Sequence, residues 1–324
     1  MPPTTSSPFA IELHKLRTEV LNESLRKMHA RTGISTSYLQ KLEAGTSKPS
    51  VDTISKISET TGYDKGVLMA AALPAVQASR ELARRSQCAA HLGALLMAID
   101  GFESVQGHLP PGSESGPVPR PANEIAKNHN WISRILPHLD EQNRFQKIDF
   151  SRAADDPVHL ALAEIPLAAL HCPSAPAEFP AASHYAGCHH DTEAPIAADN
   201  HGVLFLDSRL RYDEITDGRA YTLFLGEKSS DADDGTWMSG GRATLRNTGL
   251  WGPTNRFSFE QRREARAASA HPELYVGGFV SPHTGGNFGF GDGRVQSISF
   301  DIDDRVFQQL GHRADGALVP WPLE

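Results

Sequence analysis

Gly33 is the residue that most constrains how the N-terminal part of this chain folds, because it separates two short amphipathic segments. A glycine adopts the left-handed conformation of a tight turn without steric cost, and Ser35 has a side chain preferred at a helix N-cap. Leu39 and Leu42 then follow at helical spacing. The pattern predicts a helix over about 36–43, joined by a tight turn to the helix before it.

Further short helices are predicted on both sides of this pair. Ser24 and Ser50 are candidate N-caps of the second and fourth helices, Gly62 ends the fourth, and a fifth begins near Asp64. The apolar residues predicted to face inward are Ile11, Leu13, Leu16 and Val20 in the first helix and Val51, Ile54 and Ile57 in the fourth. About 60 residues therefore form a small all-α bundle.

The string RTGISTSYLQKLEAGTSKPSVDTISKISETTG closely resembles the lambda-repressor/Cro (XRE) class of helix-turn-helix domains. The matching positions are Gly33, Ile34, Ser35, Leu39, Leu42, Glu43, Gly45, Lys48, Pro49, Ser50 and Thr53. The resemblance implies that double-stranded DNA is the partner and that the third helix enters the major groove. The residues it places at base edges are Thr36, Ser37, Gln40 and Lys41, and those it places at phosphates are Ser24, Ser35, Thr46, Ser47 and Lys48.

Two positions depart from the class. His29 stands where the class usually has alanine, and Leu25 stands where many relatives have a polar phosphate-binding residue. These departures predict a slightly splayed motif with fewer backbone contacts. They also leave open a second interpretation, in which the helix-turn-helix docks on proteins.

The charge distribution separates the N-terminal part from the rest of the chain. Residues 1–90 carry 12 Lys and Arg against 8 Asp and Glu, whereas the remaining residues carry 19 against 31. A mildly basic module suits binding to phosphates, and an acidic body does not. With 324 residues, two domains are expected, and we place them at 10–72 and 73–324.

Cysteine usage and the N-terminus predict a cytoplasmic protein. Cys88, Cys172 and Cys188 are too few and too widely spaced for a disulfide framework. The N-terminus lacks the charged segment and apolar run of a secretory signal. The longest apolar stretch, 67–76, covers about ten residues and contains Pro74, whereas a membrane span needs about 20. No membrane association is therefore expected.

The C-terminal body is predicted to have an α+β fold, a long helix packed on an antiparallel sheet. The apolar stripe of this helix, which reaches back to about Ala75, comprises Cys88, Leu92, Leu95, Ile99 and Phe102. Arg80, Arg84, Arg85 and His91 fall off this stripe, and the arginines are predicted to form a solvated face. Strands are expected at 203–205 and 221–225, with a hairpin of 287–290 and 294–300 around Gly291-Asp292-Gly293 and a helix over 303–310 that Gly311 ends.

About 240 residues of this body resemble a planctomycete-type family of pilin-like (pseudopilin-G-like) proteins of unknown function. The segments that carry the resemblance are LPAVQASRELARRSQCAAHLGALLMAIDGFESVQGHLPPG, WISRILPHLDEQNRF, LHCPSAP, SHYAG, GVLFLDSRLRYDEITDGRAYTLFLGEK, SPHTGGNFGFGDGRVQSISFDID and FQQLGHRADGALV. Members of that family normally begin with a membrane-anchoring helix, whereas here the helix-turn-helix stands in its place. The resemblance therefore implies a sensing, oligomerisation or partner-binding domain.

Candidate catalytic and metal sites are few. The run His184–Asp191 concentrates possible zinc ligands, but adjacent ligands cannot all point inward from one strand, so a polar surface loop is expected there. Asp231, Asp233 and Asp234 lack the spacing of a calcium loop. We find no phosphate loop, nucleophile elbow or paired catalytic carboxylates. The sequence predicts neither an enzyme nor a bound cofactor or metal.

These observations predict a sequence-specific DNA-binding regulator that binds as a homodimer. One alternative is a cytoplasmic scaffold that uses the helix-turn-helix for protein docking. Another is a metal-dependent activity near His189.

Overall fold

The protein forms two compact units, Met1–Ala83 and Arg84–Glu324, in a computed structural model. The structure describes residues 7–116, 128–175, 178–230, 234–253, 259–317 and 319. Each unit buries its own apolar cluster. The expected domain boundary at 72/73 and the division between the units at 83/84 both fall within one long helix, Lys65–Gln106.

The first unit consists of short helices followed by the start of that long helix. The helices are α1 (Pro8–Lys15), α2 (Leu25–Thr32), α3 (Thr36–Glu43), α4 (Val51–Thr61) and α5 (Lys65–Gln106). Ser24, Ser35 and Ser50 are the N-caps of α2, α3 and α4, and each side chain accepts a backbone N–H. The predicted small bundle is confirmed, with α3 at the predicted bounds.

Three residues that were predicted to face inward are exposed. Ile11, Val20 and Val51 keep 57%, 56% and 57% of their surface in solvent, and Phe9 takes a place in the core. A π-helical stretch, Leu16–Val20, follows α1. Because a π-helix has more residues per turn than an α-helix, Val20 does not lie on the same face as the buried Leu13. Val51 opens α4 and lies in its first turn, before the buried residues of that helix.

The second unit has a six-stranded sheet, and its α+β class is confirmed. Its strands are β1 (Tyr185–His190), β2 (Leu223–Glu227), β3 (Leu245–Pro253), β4 (Gly278–Ser281), β5 (Gly286–Phe290) and β6 (Val295–Ile298). They lie in the order β4-β3-β1-β2-β5-β6. The sheet is mixed rather than antiparallel throughout, because β3 pairs in parallel with both β1 and β4.

Further helices connect or cover these strands. They are α6 (Trp131–Ile135), α7 (Gln142–Phe145), α8 (Pro157–Ala163), α9 (Phe259–Ala268) and α10 (Asp304–Gly311). In α10, Phe307 packs edge-on against Phe288 of β5, with ring centres 5.3 Å apart. Asp303 caps this helix and Gly311 is its last residue, close to the predicted bounds.

The predicted stripe on α5 is confirmed, since Cys88, Leu92, Leu95, Ile99 and Phe102 are all buried in one cluster. The predicted solvated face is mostly wrong. Arg80 is exposed, but Arg84 donates from Nε to the Ser174 hydroxyl at 2.8 Å, and Arg85 donates from Nη2 to the Ser297 hydroxyl. His91 Nδ1 lies 3.3 Å from the Tyr185 hydroxyl. These side chains flank the stripe, where loops and strands of the same unit reach them.

The expected hairpin is confirmed, because β5 pairs antiparallel with β6 around the glycine turn. The strand expected at 203–205 is not formed. Val203 and Phe205 are buried, but the pairing in this region is a single bridge between Leu206 and Ser113. The backbone N–H groups of Val203 and Leu204 both donate to the carbonyl of Cys188 in β1, so the apolar alternation identified a buried segment that contacts the sheet without forming a regular ladder.

By length and composition, one described helix, α5, is long and apolar enough to cross a membrane. It contains an 18-residue window with a mean hydropathy of 1.3, and 39% of that window is buried in the structure. The apolar run of about ten residues expected from the sequence was therefore an underestimate. The expected stretch, 67–76, ends two residues after Pro74, whereas the helix continues to Gln106.

Candidate nucleic-acid interface

The third helix is held at both ends by local hydrogen bonds. At its N-terminus, Ser35 Oγ accepts from the backbone N–H of Tyr38 at 3.2 Å. At its C-terminus, Gly45 has φ +70°, and the N–H of Thr46 donates to the carbonyl of Lys41 at 3.0 Å. The N–H of Gly45 donates to the carbonyl of Leu42 at 3.1 Å, which completes a Schellman motif. The length and direction of α3 are therefore set by residues within and next to it.

The two faces of α3 differ as the sequence predicts. Leu39 and Leu42 are fully buried against the first unit's core. Of the residues predicted to face DNA, those exposed are Ser24, Ser35, Ser37, Gln40, Lys41, Thr46 and Lys48, and those half-buried are Thr36 and Ser47. The hydroxyl, amide and ammonium groups of α3 are thus available on one side of a well-anchored helix.

Hydrogen bonds within the unit occupy some of the predicted phosphate-binding groups. Ser24 and Ser35 use an oxygen lone pair for capping, so their hydroxyl protons remain able to donate to phosphate. Thr46 instead donates its hydroxyl to the Lys41 carbonyl at 3.2 Å, and the Lys48 ammonium bonds to the Ser79 hydroxyl. Thr46 therefore serves first to end α3.

The two unusual positions are accommodated locally. His29 is exposed, and its Nδ1 lies 2.8 Å from the carbonyl of Ile34, which makes Nδ1 the donor. The ring thus bridges the turn and does not enter the space between the helices. Leu25 is half-buried and packs on the first unit's core, so its side chain provides no phosphate contact.

An ion pair that sequence reasoning missed joins α3 to the first helical segment. Arg17 donates to both carboxylate oxygens of Glu43, at 2.5 Å from Nε and 2.8 Å from Nη2, and its Nη1 reaches the carbonyl of Glu23 at 2.9 Å. The hydrogen bond with Glu43 raises the pKa of Arg17. Side-chain exposure is 14% for Arg17 and 11% for Glu43, so water screens the pair only partly. Glu43 is one of the positions that match the helix-turn-helix class. Its partner, Arg17, lies 26 residues earlier in the sequence, so no local pattern indicates the pair.

Replacing Arg17 with alanine is expected to destabilise the first unit by about 2 kcal/mol, because a bidentate, partly buried pair is lost and Glu43 is left without it. The measurement is thermal unfolding of the full chain followed by helical circular dichroism. Arg31→Ala is the matched control, since Arg31 pairs with Glu23 in an exposed position and should change stability much less. Equal effects of the two substitutions would contradict the role assigned to Arg17.

The His184–Asp191 run is a buried strand and not the expected surface loop. Tyr185–His190 form β1 in the centre of the sheet, and burial lowers the pKa of His189 to about 3. His189 Nδ1 lies 3.1 Å from Oδ1 of Asn200. Asp191 Oδ1 instead contacts Nδ1 of His190 at 2.7 Å and Nδ1 of His201 at 2.8 Å. The possible ligands therefore divide between separate environments.

The acidic run at 231–234 falls largely outside the described residues, which include Asp234 but neither Asp231 nor Asp233. Asp234 is buried and forms ion pairs with Lys228 at 2.8 Å and with Arg242 and Arg246 at 3.2 Å each. Three cations around one carboxylate lower its pKa, although burial opposes this effect. Asp234 thus serves an internal ion cluster.

Comparison with known proteins agrees with this division into two parts. A family model described as helix-turn-helix matches residues 24–68, which supports DNA binding. A model described as a protein of unknown function (DUF1559) matches residues 77–305. No curated protein and no solved structure matches the chain. The chain therefore belongs to the DUF1559 family of proteins of unknown function, and it carries a helix-turn-helix domain ahead of the family's own domain.

Proposed function

We propose that this protein is a sequence-specific, DNA-binding transcriptional regulator of the bacterial cytoplasm, and that it is not an enzyme. The observation that carries the proposal is the outer face of α3, where Ser37, Gln40 and Lys41 are exposed while Leu39 anchors the opposite face. These side chains offer the donors and acceptors that distinguish base pairs in the major groove.

The surroundings of α3 favour DNA over a protein partner. Arg26, Lys27, Lys41 and Lys56 are exposed in the first unit, and residues 1–90 have an excess of positive charge. Capping hydroxyls at Ser24 and Ser35 keep a proton to donate to phosphate oxygens. Binding that depends on such groups should weaken steeply as salt is added, because counterions are released from DNA.

We further propose that the DUF1559 domain has a pilin-like sensing or oligomerisation role without membrane association. The regulator is proposed to bind DNA as a homodimer. Helix-turn-helix dimers read two half-sites about 34 Å apart, which corresponds to one turn of DNA. A dimer is therefore expected to select palindromic DNA, whereas a monomer would select a single half-site.

Selection from a random DNA library with the full-length protein tests this function. The expected result is a palindromic motif with half-sites about one helical turn apart and an affinity that falls with salt. A library with no enriched sequence at low salt would overturn the proposal. Protein partners recovered under the same conditions would then favour the scaffold alternative.

A further inference from the structure

Two cysteines and a histidine meet in the interior of the second unit. The Sγ atoms of Cys88 and Cys172 are 3.2 Å apart, and Nε2 of His283 lies 3.4 Å from the first and 3.6 Å from the second. All three side chains are buried. They form a compact triangle of soft and borderline ligand atoms that the proposed DNA-binding function does not use.

The three ligand atoms come from parts of the chain that are far apart in sequence. Cys88 lies on the buried stripe of α5, and Cys172 follows the short 3₁₀ turn Ala168–Leu170. His283 lies in the turn between β4 and β5. Sequence separations of 84 between the cysteines and 111 between Cys172 and His283 explain why spacing rules do not reveal the group.

The distances fit a tetrahedral metal site better than a disulfide. A disulfide requires sulfur atoms about 2.05 Å apart, and the observed separation is much longer. A tetrahedral zinc ion with Zn–S of about 2.3 Å and Zn–N of about 2.0 Å places its ligand atoms roughly 3.5–3.8 Å from one another. The two sulfur–nitrogen separations, 3.4 and 3.6 Å, match the expected value of about 3.5 Å. The sulfur–sulfur separation of 3.2 Å is about half an ångström shorter than the roughly 3.8 Å expected for two thiolates on one ion, so metal binding would move the two sulfur atoms apart by that amount.

We propose that Cys88, Cys172 and His283 bind a zinc-type divalent metal ion as its protein ligands, beside the buried carboxylate of Glu227. Glu227 Oε1 lies 3.7 Å from Nε2 of His283, and its side chain is 1% exposed. Two thiolates balance the charge of a divalent ion, and a neutral imidazole adds none.

The surroundings fix the position of the Glu227 carboxylate beside the histidine ligand. Asn287 donates from Nδ2 to Glu227 Oε1 at 2.8 Å, and the Ser281 hydroxyl donates to Oε2 at 2.6 Å. Ser281 Oγ also accepts from the backbone N–H of His283 at 3.1 Å, which connects the carboxylate to the histidine segment. Such partners of the ligands are typical of protein metal sites, where they fix the direction of each ligand.

A metal at this position would connect α5 with the sheet. The ion would join a helix, a loop and a β-turn of the second unit in place of three separate buried polar contacts. Because such ligands are not preassembled in an unfolded chain, the free energy of metal binding would add to the stability of the second unit. We therefore assign the ion a structural role.

Metal analysis of the full-length protein tests the site. The protein is purified under reducing conditions without chelators, and its metal content is measured by mass spectrometry. The apoprotein is then titrated with Zn(II) and with Co(II). We expect about one metal ion per chain and a Co(II) spectrum of tetrahedral thiolate coordination. Cys172→Ser should weaken metal binding by more than ~100-fold, because it removes a direct ligand.

Cys188→Ser is the matched control, since Cys188 is also buried but faces the carbonyl of Gly311 and not the triangle. It should keep the metal. Wild-type protein that binds neither Zn(II) nor Co(II), or that contains a Cys88–Cys172 disulfide by peptide mapping, would overturn the proposal. If Cys172→Ser does not fold, the Co(II) spectrum of the wild-type protein decides the question by itself.

Discussion

Replacing Lys41 with glutamate is expected to reduce affinity for the selected DNA by about 100-fold. Lys41 is exposed in the last turn of α3, next to the exposed Gln40, whereas the following residue, Leu42, is buried. The substitution removes a donor to guanine or phosphate, worth about 1–3 kcal/mol, and adds repulsion from the DNA backbone. Fluorescence anisotropy with the labelled palindrome measures the effect.

Lys65→Glu provides the matched control, because it makes the same charge change at another exposed position of the first unit. Lys65 follows the end of α4, and α4 begins at Val51, directly after the loop that follows α3. A helix of 11 residues is about 16 Å long, so Lys65 lies well away from the proposed interface. Equal losses for the two variants would mean that Lys41 contributes only through total charge.

Replacing Gly112 with alanine is expected to destabilise the second unit by about 3 kcal/mol or more. A Cβ atom at this position would lie 2.2 Å from the carbonyl carbon of Leu204 and 2.4 Å from its oxygen. Both are backbone atoms, which cannot move aside as the end of a flexible side chain does. Urea unfolding followed by tryptophan fluorescence measures the change, since all four tryptophans lie beyond residue 130, in the second unit.

Gly93→Ala is the control for this substitution. Gly93 lies in α5, and a Cβ atom there would meet no other heavy atom within 4 Å. Because alanine has the higher helix propensity, the variant should be as stable as the wild type or more stable, by up to about 1 kcal/mol. If Gly112→Ala changed the free energy of unfolding as little as Gly93→Ala, the close backbone approach would be wrong.

The helix-turn-helix was predictable because its signals are local. The Ser35 side chain caps α3 by accepting a hydrogen bond from the backbone N–H of Tyr38, only three positions later. Gly33 and Gly45 take the left-handed conformations that end α2 and α3. The predicted range 36–43 is the observed one. The exposure of individual side chains was predicted less accurately than the helix bounds, because the π-helical stretch at Leu16–Val20 changes which residues share a face.

In the second unit, the sequence indicated the elements but not their partners. The stripe on α5 and the hairpin of β5 and β6 follow from periodicity and a glycine turn. The parallel pairing of β3 with β1 and β4 depends on long connections, which leave no local pattern. The polar run at 184–191 therefore looked like a loop, although β1 lies in the middle of the sheet.

Residue order alone thus decided where α3 begins and ends, since caps and turns act over three to five residues. Tertiary structure decided which distant groups meet. Arg17 reaches Glu43 across 26 residues, and Cys88 reaches Cys172 across 84. Such pairs form only after the helices and the sheet have packed, because packing decides which of many distant polar groups come within bonding distance.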